Sequence, residues 1–247
     1  MQLQDRCRGL MVGLAAGNLL GIPCEGWPRE EIRLGWPDGV RDIEARAGYP
    51  DDDDLAQAVI LAAACHGAEA LDAADLARRF WVWGEENGLG MGHATRATLA
   101  RYGGSPPRCF GSRSMSARRR GSAMPAIRAA REPVGLPALE ASRAAWEDAG
   151  GKAAGNGAVM RCAPLAIRWR QDDAALVRNT VVSAAVTHWD ARCVWSAVLV
   201  NLAIASLLWE PPAGALQLVE RAERARETLG DALAPFGVVD VPVCRQR

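Results

Sequence analysis

Apolar residues recur along the chain at the three- and four-residue spacing that is typical of amphipathic helices. Alanine, the residue with the highest helix propensity, is frequent within these runs. No five-residue stretch alternates valine, isoleucine, threonine or aromatic residues as a strand would. The pattern predicts an all-α protein with helices over residues 5–20, 53–70, 72–87, 92–102, 138–149, 172–187, 190–209 and 214–230.

Three long segments without a clear period separate these helices. They cover residues 21–52, 103–137 and 150–164, and loops of this length on a helical scaffold are expected to carry function. Asp72 and Asp173 stand where helix N-caps are expected. Since no proline- and serine-rich linker divides the chain, we expect one domain over residues 1–235, followed by an irregular tail at 236–247.

The charge and the cysteine content of the chain argue against several classes of protein. The 29 basic and 29 acidic residues cancel, which gives no general attraction to nucleic acid or to a membrane surface. Seven cysteines, an odd number without a C-x-x-C pair, fit buried thiols in a reducing compartment better than disulfides or a zinc site. We therefore expect a cytoplasmic protein.

Two apolar segments could be mistaken for targeting or membrane signals. Residues 9–22 follow Arg6 and Arg8, but Asp5 interrupts the basic part and no A-x-A cleavage site follows. Residues 193–209 carry no charge, yet they are shorter than the ~20 residues that span a bilayer, and they include polar side chains. The second segment is therefore predicted to be a buried core helix, and we expect a protein that is not associated with a membrane.

Four consecutive carboxylates, at residues 51–54, are the most unusual feature of the sequence. Leu55, Val59 and Ala62 follow at helical spacing, so the run is predicted to lie at a helix N-terminus, where the helix dipole favours negative charge. A solvated acidic helix start is one interpretation. The other is a site for a hard cation, because carboxylate oxygens suit Mg²⁺, Mn²⁺ or Ca²⁺.

Three further segments allow either a structural or a functional interpretation. Glu25 follows a helix with glycines at positions 13, 17 and 21, and it is either a surface residue or part of a site. The glycine-rich segment 155–164 is either a helix entry or a turn whose backbone amides hold phosphate. His188, between two strong helices, is either a satisfied histidine at a helix junction or a site residue.

In this order, the segments resemble the ADP-ribosylglycohydrolase family. GLAAGNLLGIPCE, ending at Glu25, is similar to the family's G-x-x-x-G-D-x-x-G helix and following glutamate. The aspartates at 51–54 are similar to its T-D-D-T-like metal motif, and residues 88–92 to its G-x-G-M-G segment. GNGAVMRCAPLA, from residue 155, resembles G-N-G-x-x-M-R-x-x-P, and THWDA, from residue 187, resembles T-H-x-x-x-A.

The resemblance implies an orthogonal helical bundle that hydrolyses ADP-ribosyl bonds on a modified protein side chain or a small compound. It implies two divalent cations, Mg²⁺ or Mn²⁺, held by Asp51, Asp52 and Asp53, with the register open by one residue. Glu25 and Asp52 would be the catalytic carboxylates. The residues that it implies for substrate binding are Gly90, Gly92, Gly155, Asn156, Gly157, Met160 and His188.

Three departures from the family pattern leave a second function open. Asn18 replaces the aspartate of G-D-x-x-G, and no threonine precedes the aspartate run. Residues 165–247 contain no match to the second metal motif, D-x-D-T, which leads us to expect a shortened C-terminus. The alternative to a hydrolase is therefore a non-catalytic relative that binds ADP-ribose.

Overall fold

A computed structural model of the chain describes residues 2–42, 53–86, 88, 90–107, 132–209, 214–230 and 233. These residues form α-helices and one 3-10 helix and contain no strand, which confirms the predicted all-α class. The helices are α1 (Leu3–Gly21), the 3-10 helix η1 (Ile22–Cys24), α2 (Arg29–Gly35), α3 (Asp53–Cys65), α4 (Ala73–Glu86), α5 (His93–Tyr102), α6 (Ala138–Asp148), α7 (Gly157–Met160), α8 (Ala163–Trp169), α9 (Asp173–Ala185), α10 (Ala191–Trp209) and α11 (Ala215–Leu229).

All eight predicted helices are present, and α2, α7 and α8 are additions. Helices α2 and α7 lie within segments that were predicted to be loops, and α8 begins at the end of the third such segment. Each of the three has seven residues or fewer, which is too short for a hydrophobic period to show in the sequence. Helix α2 follows Pro28 and has Glu30 and Glu31 in its first turn, where acidic side chains favour helix formation. The proposed tail at 236–247, and hence the domain boundary at 235, lie outside the described residues.

Side-chain capping confirms one of the two predicted N-caps and corrects the other. Asp72 Oδ1 accepts the backbone amides of Ala74 and Asp75, as predicted. The prediction for Asp173 was wrong by one residue, because Asp172 is the N-cap of α9. Asp173 belongs to the helix itself and forms an ion pair with Arg221 of α11 at 2.6 Å.

Helices α9 and α10 form the centre of the core, and α7, α8 and α11 pack against them. Ala191–Leu208 in α10 and Leu3–Cys24 around α1 are both long and apolar enough to cross a membrane. In the α10 window, 56% of the residues are buried inside the protein, as predicted for a core helix, against 6% for the window around α1. The first helix therefore lies on the surface, where it contacts α3, α8 and α10.

Helices α5 and α6 pack against each other and stand apart from the central pair. The C-terminal end of α1, the first turns of α5, the last turns of α6 and the turn between α9 and α10 surround a common cleft. The fold thus brings together segments that lie far apart in the sequence.

Candidate functional site

The cleft has a volume of about 760 Å³, which is within the size range of small-molecule binding sites. Besides the ends of α1, α5 and α6, its wall includes η1, residues 153–157, Met160 and the turn 187–189. Two aromatic side chains, Trp146 and Trp189, contribute to it. A mixed polar and aromatic wall of this kind suits a ligand with both a planar ring and polar groups.

The positions that the sequence predicted for substrate binding all lie on this wall: Gly90, Gly92, Gly155, Asn156, Gly157, Met160 and His188. Glu25 lies on it as well, with an exposed side chain, and so does Asn18. Residues from four separate sequence segments thus face one cleft.

The glycine-rich segment needs a glycine at position 157 because the ring of His188 packs directly on its backbone there. A Cβ atom on Gly157 would lie 2.6 Å from Cε1 and 2.8 Å from Nε2 of His188, which is too close for any side chain. A Cβ atom on Gly155 would lie 3.5 Å from Nε2, an ordinary contact. The thiol of Cys193 donates to the Gly155 carbonyl oxygen at 3.2 Å and ties this segment to α10.

Arg161, directly after α7, is fully buried and links several elements behind the cleft wall. Its Nη1 donates to Gln57 Oε1 of α3 at 2.6 Å. Its Nη2 donates to the Ser183 carbonyl oxygen of α9 at 2.8 Å and to Thr187 Oγ1 at 2.5 Å. The guanidinium carbon lies 4.6 Å from the ring centroid of Phe80 in α4, in a cation–π contact.

The sequence patterns predict no role for Arg161, Gln57 or Thr187, although Arg161 and Thr187 lie within the motifs quoted above. The one signal for Arg161 is its place two residues before the apolar helix α8, because a charged residue that is buried there needs partners. Those partners come from distant parts of the chain, so local patterns in the sequence do not identify them.

The His188 ring is neutral in this environment. Burial is the main cause that lowers the pKa of His188 from 6.5 to about 3, and the positive charge of Arg161 adds to it. Only 4% of the residue is exposed. A neutral imidazole has one donor and one acceptor nitrogen, so its hydrogen bonds depend on which nitrogen carries the proton.

We expect the neutral His188 to make the protein less stable in mild acid. The unfolded chain takes up a proton at this residue below its usual pKa of 6.5, whereas the folded protein does not until about pH 3. The free energy of unfolding should therefore fall by about 2 kcal/mol between about pH 6.5 and pH 4.5. Urea unfolding across this range measures the fall.

The variant His188→Asn serves as the control for this effect, because it removes the titrating group. Its unfolding free energy should change much less over the same pH range, whatever its absolute stability. The pKa of Asp190 is lowered to about 2, mainly by the hydrogen bond with Arg192. This carboxylate therefore makes the free energy of unfolding depend on pH only below the range of this measurement. An equal pH dependence in wild type and variant would contradict a neutral, buried His188.

A second polar cluster fixes the aromatic part of the wall. The indole Nε1 of Trp146 donates to Asp190 Oδ2 at 3.1 Å. Arg192 also donates to both oxygens of this carboxylate, through Nε and Nη2, each at 2.9 Å. Because the indole is held at its nitrogen, the position of the Trp146 ring is defined before any ligand binds.

The predicted metal ligands are only partly covered by the structure. Asp51 and Asp52 lie outside the described residues, and for Asp53 the backbone alone is described, as the first residue of α3. Among the side chains that are described, no group of three or more His, Cys, Asp or Glu residues could hold a metal ion. The prediction of a helix start at the aspartate run is confirmed, and the prediction of a metal site stays a prediction.

The sequence model of the ADP-ribosylglycohydrolase family matches residues 1–241 of the 247-residue chain. The chain belongs to this family. The searches of curated proteins and of solved structures found no match. Membership in the ADP-ribosylglycohydrolase family confirms the resemblance seen in the sequence and indicates hydrolysis of ADP-ribosyl bonds as the type of activity and ADP-ribosylated molecules as the kind of substrate.

Proposed function

We propose that this protein is a divalent-cation-dependent hydrolase that removes ADP-ribose from a modified protein side chain or from a small ADP-ribosyl compound. The observation that carries the proposal is the meeting of Glu25, the segment around Gly157 and His188 on one cleft, in a chain that the family matches over nearly its whole length. We further propose a cytoplasmic location, because the five cysteines of the described residues are free thiols.

The cleft offers complementary groups for the parts of ADP-ribose. The glycine-rich turn before α7 lies on the wall, and the backbone amides of such turns suit phosphate oxygens. His188 adds a ring nitrogen beside this turn. Trp146 and Trp189 provide aromatic surface on which a purine can stack.

Glu25 is the candidate for acid–base work in the cleft. Its side chain is exposed on the wall, so a substrate or an attacking water can reach it. Cleavage of a bond to ribose builds positive charge on the sugar ring, which a carboxylate stabilises. A carboxylate within about 3 Å of the attacking water can also take its proton.

The chemistry of the aspartate run fits a divalent cation, since hard cations such as Mg²⁺ and Mn²⁺ prefer carboxylate oxygens. Asp51, Asp52 and Asp53 would hold it. Gln57 of α3 accepts a hydrogen bond from Arg161 behind the cleft wall, and this contact supports a cation site beside the cleft at the start of α3. A bound cation would supply Lewis acidity and orient the ribose hydroxyls.

A non-catalytic ADP-ribose-binding protein is the second candidate, and Asn18 favours it. This residue lies on the cleft wall at the position where the family pattern has an aspartate. An amide in place of a carboxylate removes one negative charge from the cleft and so weakens its attraction for cations. The nucleotide-binding surfaces would remain in such a protein.

Calorimetric titration of ADP-ribose into the purified chain distinguishes these candidates. The measurement is made with Mg²⁺ in excess and repeated with EDTA. For the hydrolase we expect binding that is markedly tighter with the cation, because the metal helps to hold the ribose. Equal binding in both conditions would favour the non-catalytic protein, and the absence of binding in both would contradict the assignment of the cleft.

A further inference from the structure

The hydrogen bonds behind the cleft wall have a defined direction. A guanidinium group has donors only, so Thr187 Oγ1 acts as the acceptor in its 2.5 Å hydrogen bond with Arg161. The same oxygen lies 2.8 Å from Nδ1 of His188. The oxygen has two lone pairs and could accept a second hydrogen bond, but the described residues place no other acceptor within hydrogen-bonding distance of this hydroxyl. Its hydrogen is therefore directed to Nδ1, which then acts as an unprotonated acceptor.

This direction determines what His188 presents to the cleft. When Nδ1 of the neutral ring is an acceptor, the proton is on Nε2. Nε2 is the nitrogen that lies beside Gly155 and Gly157 on the cleft wall. The buried side of the network thus makes Nε2 a donor at the place where a polar part of a ligand would bind.

We propose that Arg161 and Thr187 are positioning residues that hold His188 as a hydrogen-bond donor in the cleft. Arg161 orients the Thr187 hydroxyl, and the hydroxyl fixes both the tautomer and the orientation of the imidazole ring. The inference that this donor serves ADP-ribose rests on the proposed function. The tautomer itself is inferred from the partners of the Thr187 hydroxyl and does not depend on the ligand.

The turn that contains Thr187 is anchored by several hydrogen bonds, as a positioning role requires. Besides the contact of its side chain with Arg161, its carbonyl oxygen accepts from Thr98 Oγ1 of α5 at 3.3 Å. Arg161 in turn is held by Gln57 and Ser183. Removing the Thr187 hydroxyl leaves these other contacts in place, so its effect on His188 can be separated from a general loss of packing.

The direct test is an NMR spectrum of ¹⁵N-histidine-labelled protein near neutral pH, in which the ring nitrogens report the tautomer. With only three histidines in the chain, the variant His188→Asn assigns the signals. We expect a protonated Nε2 and an unprotonated Nδ1 in the wild type. A protonated Nδ1 would overturn the proposal, and this result requires neither a ligand nor a second variant.

The matched variants Thr187→Val and Thr187→Ser test the hydroxyl. Thr187→Val should move both nitrogen shifts of His188 toward the average of two tautomers, and it should weaken ADP-ribose binding about tenfold. Thr187→Ser, which keeps the hydroxyl, should restore the wild-type shifts and most of the affinity. Thr228→Val, on α11 where the side chain bonds only within its own helix, controls for the change of residue type.

Two results distinguish a failure of this inference from a failure of the proposed function. If the wild type does not bind ADP-ribose but its tautomer responds to Thr187 as described, the proposed ligand is wrong and the positioning network is supported. If the wild type binds ADP-ribose and Thr187→Val changes neither the tautomer nor the affinity, Arg161 and Thr187 are structural residues and the inference is wrong.

Discussion

Substitution of Gly157 by alanine is expected to weaken ADP-ribose binding about 100-fold, because an added methyl group and the His188 ring cannot both keep their places. The new Cβ would lie 2.6 Å from Cε1 of the ring. The ring is buried and anchored at Nδ1 by Thr187, so it has little freedom to move aside. Either the ring or the glycine-rich segment has to leave the cleft wall.

The effect of this substitution is steric and does not arise from backbone strain, since Gly157 is not among the glycines with positive φ. Gly155→Ala is the matched control, because it adds the same methyl group to the same segment at an ordinary 3.5 Å contact with Nε2. Calorimetry with ADP-ribose compares the two. Equal affinities for both variants would show that the contact between His188 and the glycine-rich segment does not shape the binding site.

Turnover is expected to fall about 10³-fold when Asp52 is replaced by asparagine, because loss of a metal-binding carboxylate removes several kcal/mol of transition-state stabilisation. The asparagine keeps the size of the side chain and removes its charge. Affinity for ADP-ribose in the presence of EDTA should change little, since the nucleotide-binding wall is formed by other segments. Chromatographic measurement of released ADP-ribose gives the rate.

Single substitutions along the run, at residues 51–54, would also determine the register that the sequence leaves open. Replacement of a metal-binding aspartate should cause the large loss of turnover, and replacement of an aspartate that does not bind the metal should not. Asp5→Asn is a suitable control, because this carboxylate lies in the first turn of α1, is 52% exposed and forms only a surface ion pair with Arg8. Full activity in every aspartate variant would contradict a metal site at the start of α3.

The sequence predicted the helices because their apolar spacing is long and regular, and α9 and α10 show this most clearly. It also predicted which segments would meet, because the resemblance supplied motifs in a fixed order. The sequence predicted the ends of the helices less accurately than their presence. At the start of α9, two neighbouring aspartates fit the cap pattern equally well, and only the structure shows that Asp172 caps the helix while Asp173 reaches Arg221.

The buried network could not be predicted, and the reason is physical. Arg161 receives its partners from positions 104, 22 and 26 residues away, and local patterns contain no information on such contacts. The low pKa of His188 depends on burial by all of the packed elements and on this same guanidinium. A histidine between two helices gives no sign of either effect in the sequence.

The activity itself is tested most directly by the release of ADP-ribose from defined substrates by the wild-type protein. Peptides carrying ADP-ribose on arginine or serine, and small ADP-ribosyl compounds, are incubated with Mg²⁺ or Mn²⁺ and, in parallel, with EDTA. The account predicts release from at least one substrate with a divalent cation and none with EDTA. Binding of ADP-ribose without release from any substrate would contradict a hydrolase and identify a protein that only binds this nucleotide.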